Sequence, residues 1–338
     1  MHPDSVLHRE GFRQVILPVC DHYCGRLDLL AKSLALQARL GPVLDVTADC
    51  EDGAAVGDEI AHVTAVAEAV AGPDNRFGRL GVRPMPVGHP LFEQQVDILM
   101  ARAGGRLAYL TLPKVMTPAD VDAAADICRH HEGRAGIEAE VPFQVLIESP
   151  AALPHLHAIA AHPRVQALCF GLMDFVSSFE GAIPASAMLG ARQFEHPLLL
   201  RAHTDIVMAA QAHGKVAVHS VTLDIGDGSA AGADAARAAH DFGYRRKWSI
   251  HPRQVEPIIA AFRPTVDEVR EAGDILLAAQ RANWGPVRHD ERLHDRASYR
   301  YWWQVLQRAH HTGMRLPDDI RSAFFDDEAQ GAERQVPG

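Results

Sequence analysis

From residue 13 to about residue 262 the chain alternates between two hydrophobic textures. Short runs that are apolar on both faces are followed by longer stretches whose apolar residues recur every three or four positions. The short runs are Gln14–Val19, Val43–Asp49, Leu80–Met85, Leu107–Val115, Phe143–Glu148, Ala167–Gly171, Lys215–Ser220 and Lys247–His251. Lack of in-and-out alternation is expected of strands covered on both sides, as in a parallel sheet. The longer stretches predict helices over Arg26–Leu40, Asp58–Ala71, Leu91–Ala103, Pro118–His131, His196–His213 and Ala230–Phe242. Thr117-Pro118 supplies a cap followed by Pro at the first helical position, and Gly104-Gly105 and Gly214 punctuate helix ends.

Eight strand-then-helix units with right-handed crossovers close into a (β/α)₈ barrel, the TIM-barrel architecture of the α/β class. An open doubly wound sheet is the competing arrangement, but no Gly-rich fingerprint follows the first strand. The reading places a barrel domain at residues 1–262 and a C-terminal helical extension with a polar tail at residues 263–338. The extension begins with a helix over Pro264–Arg281 and continues into the charged, aromatic segment Asp290–His311. Pro317 and Pro337 mark the tail. Three of the nine Tyr and Trp residues fall in Tyr301–Trp303. This concentration suits either a subunit interface or packing within the chain itself.

Composition narrows the field of functions. With 338 residues and 47 % hydrophobic content the chain can bury a large core, and 6 % aromatics makes that core mostly aliphatic. A formal charge of −10 argues against a nucleic-acid footprint, which needs clustered basic residues. It leaves room for anionic substrates, which a few placed cations can hold. No signal-peptide pattern and no uninterrupted apolar stretch of about 18 residues is present, so no membrane span is expected. The five cysteines (Cys20, Cys24, Cys50, Cys128, Cys169) are scattered and odd in number, which fits a reducing cytoplasm. Cys20-Asp-His-Tyr-Cys24 lacks a second ligand pair for zinc.

In a barrel, reactive groups sit at the C-terminal ends of the strands. Those ends carry Asp49-Cys50-Glu51-Asp52-Gly53, Arg83, Lys114, Glu148, Gly171-Leu172-Met173-Asp174, His219 and His251. Any one of these acids can be explained as half of an inter-strand salt bridge. Together the acids outnumber the bases, and the surplus negative charge calls for a cation. Carboxylates from adjacent strands, with waters and a chelating substrate, make an oxygen-rich site suited to Mg²⁺.

These motifs, together with Leu112-Pro113-Lys114, Ile147-Glu148-Ser149-Pro150 and Ile250-His251-Pro252-Arg253-Gln254, follow one another in an order and spacing that resembles the citrate lyase β-subunit-like family. This family sits within the wider group of malyl-CoA and citramalyl-CoA lyases and HpcH/HpaI aldolases, and the resemblance covers roughly residues 12 to 265. It implies a homo-oligomeric barrel, trimer or hexamer, with Mg²⁺ as cofactor. The implied chemistry is retro-Claisen or aldol cleavage of a short 3-hydroxy dicarboxylic acid or its CoA thioester. Glu148 and Asp174 fall on the metal ligands and Arg83 on the arginine that binds a substrate carboxylate or carbonyl. Glu51 and Asp52 fall on acids near the metal waters, with Asp49 beside them. Such residues suit the reaction: a chelated cation stabilises the developing enolate charge, and an arginine forks onto a carboxylate as a lysine cannot. Gly171 and Met173 are candidates to hold substrate through backbone N–H groups. Lys114 is either a substrate contact or a strand-end ion pair.

Three departures from the family stand out. Relatives often follow the first strand with Pro-Gly and basic residues that help hold CoA, whereas here it reads Leu17-Pro18-Val19-Cys20-Asp21-His22, with Arg26 and Lys32 beyond. His219 stands where relatives commonly have Asp, as a general acid/base or as a barrel-mouth histidine bonded to backbone. The C-terminal segment by which malyl-CoA-type lyases lend an Asp to the neighbouring subunit lacks its flanking pattern around Asp318 and Asp319. Two alternatives stay open: a CoA-independent 2-oxoacid aldolase of the HpaI type, for which His22 is the candidate base, and a non-catalytic carboxylate- or CoA-binding subunit of a larger complex.

Overall fold

The computed structural model describes residues 1–7, 15–54 and 57–326; Gln14 of the first expected strand and Pro337 of the tail lie outside them. The described chain divides into two compact units, one within residues 14–262 and the other drawn from residues 1–13 and 263–338.

The first unit is a closed barrel of eight parallel strands in sequence order: β1 Cys20–Cys24, β2 Leu44–Asp49, β3 Leu80–Arg83, β4 Leu110–Leu112, β5 Phe143–Ile147, β6 Val165–Phe170, β7 Val216–His219 and β8 Arg246–Ser249. β8 pairs back onto β1, from Cys20↔Lys247 to His22↔Ser249. Helices Leu27–Leu40, Glu59–Ala71, Phe92–Ala103, Pro118–Ala135, Leu156–Ala161, Pro197–Ala212, Ser229–Arg237 and Pro252–Phe262 lie after the eight strands in turn. Residues such as Val63, Val66, Val96, Leu99, Val121 and Ile206 bury one stripe of each helix against the sheet. The Thr117 N–H donates to Asp120 Oδ2 at 2.8 Å, closing the expected helix start, and Gly136 at φ 69 ends the same helix in the left-handed region.

β2, β3 and β5 to β8 have bounds within two residues of the expected runs and β4 lies inside its run, three residues shorter at each end, but β1 does not match. The apolar run Val15–Val19 precedes the strand, with Val15 and Leu17 packed against Leu146, Val216 and Trp248. The true β1 reads Cys-Asp-His-Tyr-Cys because its inward positions carry polar work. Asp21 meets Arg246 at 2.7 Å inside the barrel, Arg246 also meets Asp45 at 2.5 Å, and Thr47 and Tyr109 donate hydroxyls to Asp21. Each buried charge here is paired and hydrogen-bonded, the condition under which such groups survive in a core. The turn after β1 is therefore Gly25-Arg26 rather than Cys20–His22. A Cβ on Gly25 would stand 1.9 Å from the Gly53 carbonyl oxygen, so only glycine lets these two turns meet.

The second unit contains helices Pro3–Leu7, Val266–Arg281, Arg296–His311 and Asp318–Phe324 with the hairpin Val287–His289/Arg292–His294. Asp290 and Glu291 both take positive φ (43° and 62°), as a two-residue hairpin turn of this hand requires. Leu7, Ile275, Leu276, Tyr299, Trp303, Leu306, Ile320 and Phe324 form its core. The aromatic cluster thus splits: Tyr299 and Trp303 are core residues, with the Trp303 indole donating to Asp4 at 2.7 Å, and Tyr301 is 54 % exposed. Among the described residues no helix is long and apolar enough to cross a membrane. All five cysteines are buried and free.

Candidate active site

At the C-terminal ends of the strands lies a cavity of about 470 Å³, lined among others by Tyr23, Asp52, Gly53, Arg83, Glu148, Gly171, Met173, Asp174, Ser220 and Trp248. Of the residues expected here, Arg83, Asp52, Glu148, Gly171, Met173 and Asp174 line it directly.

A chain of alternating charges runs along one side. Arg83 forks onto Asp49, Nε to Oδ1 at 2.7 Å and Nη2 to Oδ2 at 2.9 Å. Its Nη1 lies 3.1 Å from Glu51, and Lys114 Nζ bridges Glu51 at 2.7 Å and Asp52 at 3.1 Å. Asp49 also accepts the backbone N–H groups of Glu51 (3.0 Å) and Gly53 (2.5 Å) and the Tyr23 hydroxyl. The Tyr23 hydroxyl in turn accepts from Arg83 Nη2. Burial alone raises a carboxyl's pKa; at Asp49 the Arg83 hydrogen bonds and charge outweigh it and hold the group below its ordinary value. At Lys114 the slight burial is outweighed by Glu51 and Asp52, which hold the ammonium protonated. Asp49 and Glu51, expected near the chemistry, are thus buried anchors for Arg83 and Lys114, and Asp52 (60 % exposed side chain) is the one of the three that faces the cavity.

Glu148 and Asp174 stand apart from this chain. Burial, and then the charge of Asp174, pushes the Glu148 carboxyl up from 4.5 to about 7. Glu148 is held by the backbone N–H of Lys114, a non-glycine residue at φ 54, a conformation that stores strain and clusters at functional positions. Gly171 lies against Glu148 so closely that a Cβ would come within 2.5 Å of the Glu148 Cβ. Among the described residues, five carboxylates (Asp49, Glu51, Asp52, Glu148, Asp174) share two cationic side chains, Arg83 and Lys114, which pair with the first three, and the excess is concentrated on Glu148 and Asp174. That repulsion is what a divalent cation would remove. Among the described residues no three His, Cys, Asp or Glu side chains gather as a closed metal cage; a two-carboxylate set suits Mg²⁺, which keeps several waters.

His219 requires a correction. It is fully buried on the outer side of β7, packed against Phe194 and His203 at ring distances of 5.2 and 5.4 Å in a cluster where those two rings also touch. Its Nδ1 accepts from Lys247 Nζ at 2.9 Å. Burial, then Lys247 and His203, drives its pKa well below the ordinary value. It does not line the cavity; the next residue, Ser220, does. His22 likewise faces away, bonded to Ser249 at 3.0 Å, which removes the candidate base of an HpaI-type aldolase. His251 organises its turn, its carbonyl accepting from Ser249 Oγ and its Nδ1 from the Arg253 N–H. Tyr23 and Trp248, stacked 5.5 Å apart, are not among the expected site residues: Tyr23 falls past the first expected strand, and Trp248 sits in a run apolar on both faces that does not show which residues point inward.

Comparison with known proteins places the chain in a family. Residues 44–252 match the family model HpcH/HpaI aldolase/citrate lyase. An L-malyl-CoA/beta-methylmalyl-CoA lyase of Cereibacter sphaeroides is 32 % identical over 277 residues, 78 % of this chain and 86 % of that protein. A citrate lyase structure from Burkholderia xenovorans LB400 is 47 % identical, covers 96 % of this chain and all of that one, and superimposes with a TM-score of 0.83. A Mycobacterium tuberculosis structure in complex with magnesium, acetoacetate and coenzyme A shares the fold at 22 % identity and a TM-score of 0.64, covering 87 % of this chain and 98 % of that one. By the extent of the family match and the identity to its relatives, this chain belongs to the HpcH/HpaI aldolase/citrate lyase family.

Proposed function

We propose that the protein is a Mg²⁺-dependent carbon–carbon lyase that cleaves a short 3-hydroxy dicarboxylic acid as its CoA thioester. The observation that carries this reading is the pair Glu148 and Asp174, two mutually repelling carboxylates in a partly enclosed cavity beside a braced arginine. The Cereibacter sphaeroides relative, a malyl-CoA lyase by name, supports the thioester.

Glu148 and Asp174 would hold the cation. Bound there, magnesium supplies Lewis acidity to substrate oxygens at the carbon that becomes the carbonyl. The residues of the chain do the rest. Arg83, fixed by Asp49 and Tyr23, presents a single Nη1 N–H to the substrate without reorganising, which is how a preorganised donor contributes to rate. Cleavage requires a base for the 3-hydroxyl proton. Among the described residues three carboxylates line the cavity; two are assigned to the cation, leaving Asp52 to take that proton, with Lys114 beside it to steady the charge. The carbon released from the broken bond then takes up a proton. The same proposal includes a homo-oligomer in the cytoplasm, trimer or hexamer, which sedimentation equilibrium of the purified protein would test.

The deciding experiment pairs calorimetric Mg²⁺ titration with turnover of malyl-CoA-type thioesters, following released oxo acid. Glu148→Gln is expected to lose both Mg²⁺ affinity and turnover; a variant that keeps both rules out the central assignment.

A further inference from the structure

Below its carboxylates the cavity changes character. Leu146 precedes Glu148 by two residues and so shares its inward face one layer deeper in the barrel. Tyr23 from β1 and Trp248 from β8 pack with Leu146, their rings within 12° of parallel, and Val221 and Ile250, just past the ends of β7 and β8, extend the apolar lining toward the mouth. None of these offers a charge. The Tyr23 hydroxyl is committed to Asp49 and Arg83, leaving its ring to line the space. The Trp248 indole nitrogen is buried without a partner and out of reach of solvent in the cavity, so this side chain offers carbon. Arg83 has Nε and Nη2 engaged with Asp49 and Tyr23 and Nη1 near Glu51, and its fork is closed to a second carboxylate.

We infer that the space beneath Glu148 takes an apolar arm: the oxo-acid half of the substrate carries an alkyl or aryl side chain longer than methyl, where hydrogen or a second carboxylate would leave the wall unfilled or a charge unpaired. This inference rests on the lyase reading and narrows its substrate. The substrate class becomes a CoA thioester of a 3-carboxy-3-hydroxy acid with an apolar branch at C3. Breaking its C2–C3 bond yields an acyl-CoA and a 2-oxo monocarboxylic acid R–CO–COOH; the hydroxyl proton leaves to the enzyme's base and C2 takes up a proton.

The test is calorimetric binding of glyoxylate, pyruvate, 2-oxobutyrate, 4-methyl-2-oxopentanoate, phenylpyruvate and oxaloacetate to the Mg²⁺-saturated full chain. Affinity is expected to rise about fourfold for each methylene from glyoxylate to 2-oxobutyrate, the ordinary gain for burying that group, with oxaloacetate weaker than 2-oxobutyrate. Trp248→Ala should move the optimum toward the bulkier acids; if that variant does not fold, the unmodified series alone decides. A flat series, or tightest binding of glyoxylate or oxaloacetate while thioesters are still cleaved, overturns the inference and leaves the lyase reading standing. If no oxo acid binds and no thioester is cleaved, both fall.

Discussion

Lys114 holds Glu148 by its main chain and Glu51 by its side chain. The backbone N–H reaches the Glu148 carboxylate from a left-handed residue, and the ammonium sits 2.7 Å from Glu51. The two duties are separable by mutation. Lys114→Ala keeps the N–H and discards the ammonium, so Mg²⁺ affinity should stay within a few-fold while turnover falls by roughly 10- to 100-fold, the usual scale for losing a partner that supports a reacting group. Calorimetry against steady-state kinetics checks the split; equal losses in both would show that the ammonium also serves the cation.

Gly171 leaves no room beside Glu148. Adding one methyl there, at 2.5 Å from the Glu148 Cβ and 3.0 Å from its Oε2, forces the carboxylate to move. Gly171→Ala is expected to weaken Mg²⁺ binding by about 10- to 100-fold, the range found when a ligand's support is disturbed. Titration with Mn²⁺ followed by electron paramagnetic resonance reads this directly, and an unchanged dissociation constant would refute it.

The raised carboxyl of Glu148 makes a signed statement about stability. Its pKa is about 7 in the fold against 4.5 as the reference value. In cation-free protein its contribution is therefore fully present below about pH 4.5 and is lost as the pH climbs through 7. The loss is at most roughly 3 kcal/mol. In EDTA at pH 8, Glu148→Gln should melt at a higher temperature than the unmodified protein, with the gap closing by pH 5. Adding Mg²⁺ should reverse the order. Scanning calorimetry that finds the same gap at pH 5 and pH 8 contradicts the assignment.

Arg83 serves as a brace as much as a ligand. Arg83→Lys cannot span both oxygens of Asp49, so kcat should fall by about 10² or more with a smaller change in KM. A rise in KM with kcat preserved would instead mean that Arg83 acts mainly as a substrate clamp.

His219 should matter for stability alone. His219→Asn removes a ring from the stack with Phe194 and His203 and is expected to lower the melting temperature by several degrees, in line with a core loss of about 1–3 kcal/mol. The pH dependence of kcat/KM should keep its shape. A limb missing from that profile would restore the catalytic role.

Much of this site was legible before any coordinates. Strands buried on both faces announce themselves by composition, and their C-terminal ends then point to Arg83, Glu148 and Asp174. What such strands conceal is phase. A run apolar on both sides does not say which residues face inward, so the pattern points equally to His219 and Ser220, and Ser220 is the one that lines the cavity. β1 failed for the opposite reason: its inward residues Asp21 and Tyr23 are polar because they bind Arg246, Asp49 and Arg83, and an apolar lead-in at Val15–Val19 looked more like a strand. The double commitment of Arg83 was equally invisible, since sequence does not show which acid an arginine is already holding.

The short helix Pro3–Leu7 has a bearing on when this protein can finish folding. His2 bonds to the carbonyl of Phe324 at 2.9 Å across 322 positions, and Leu7 is seated among residues contributed by the last helices. During synthesis the opening segment must wait, its apolar side chains uncovered, until the final helix has emerged. Contacts of such sequence separation are slow to form, and a waiting hydrophobic segment is a point at which newly made chains associate with one another. Ribosome stalling or premature termination near residue 300 would leave Leu7 without its cover.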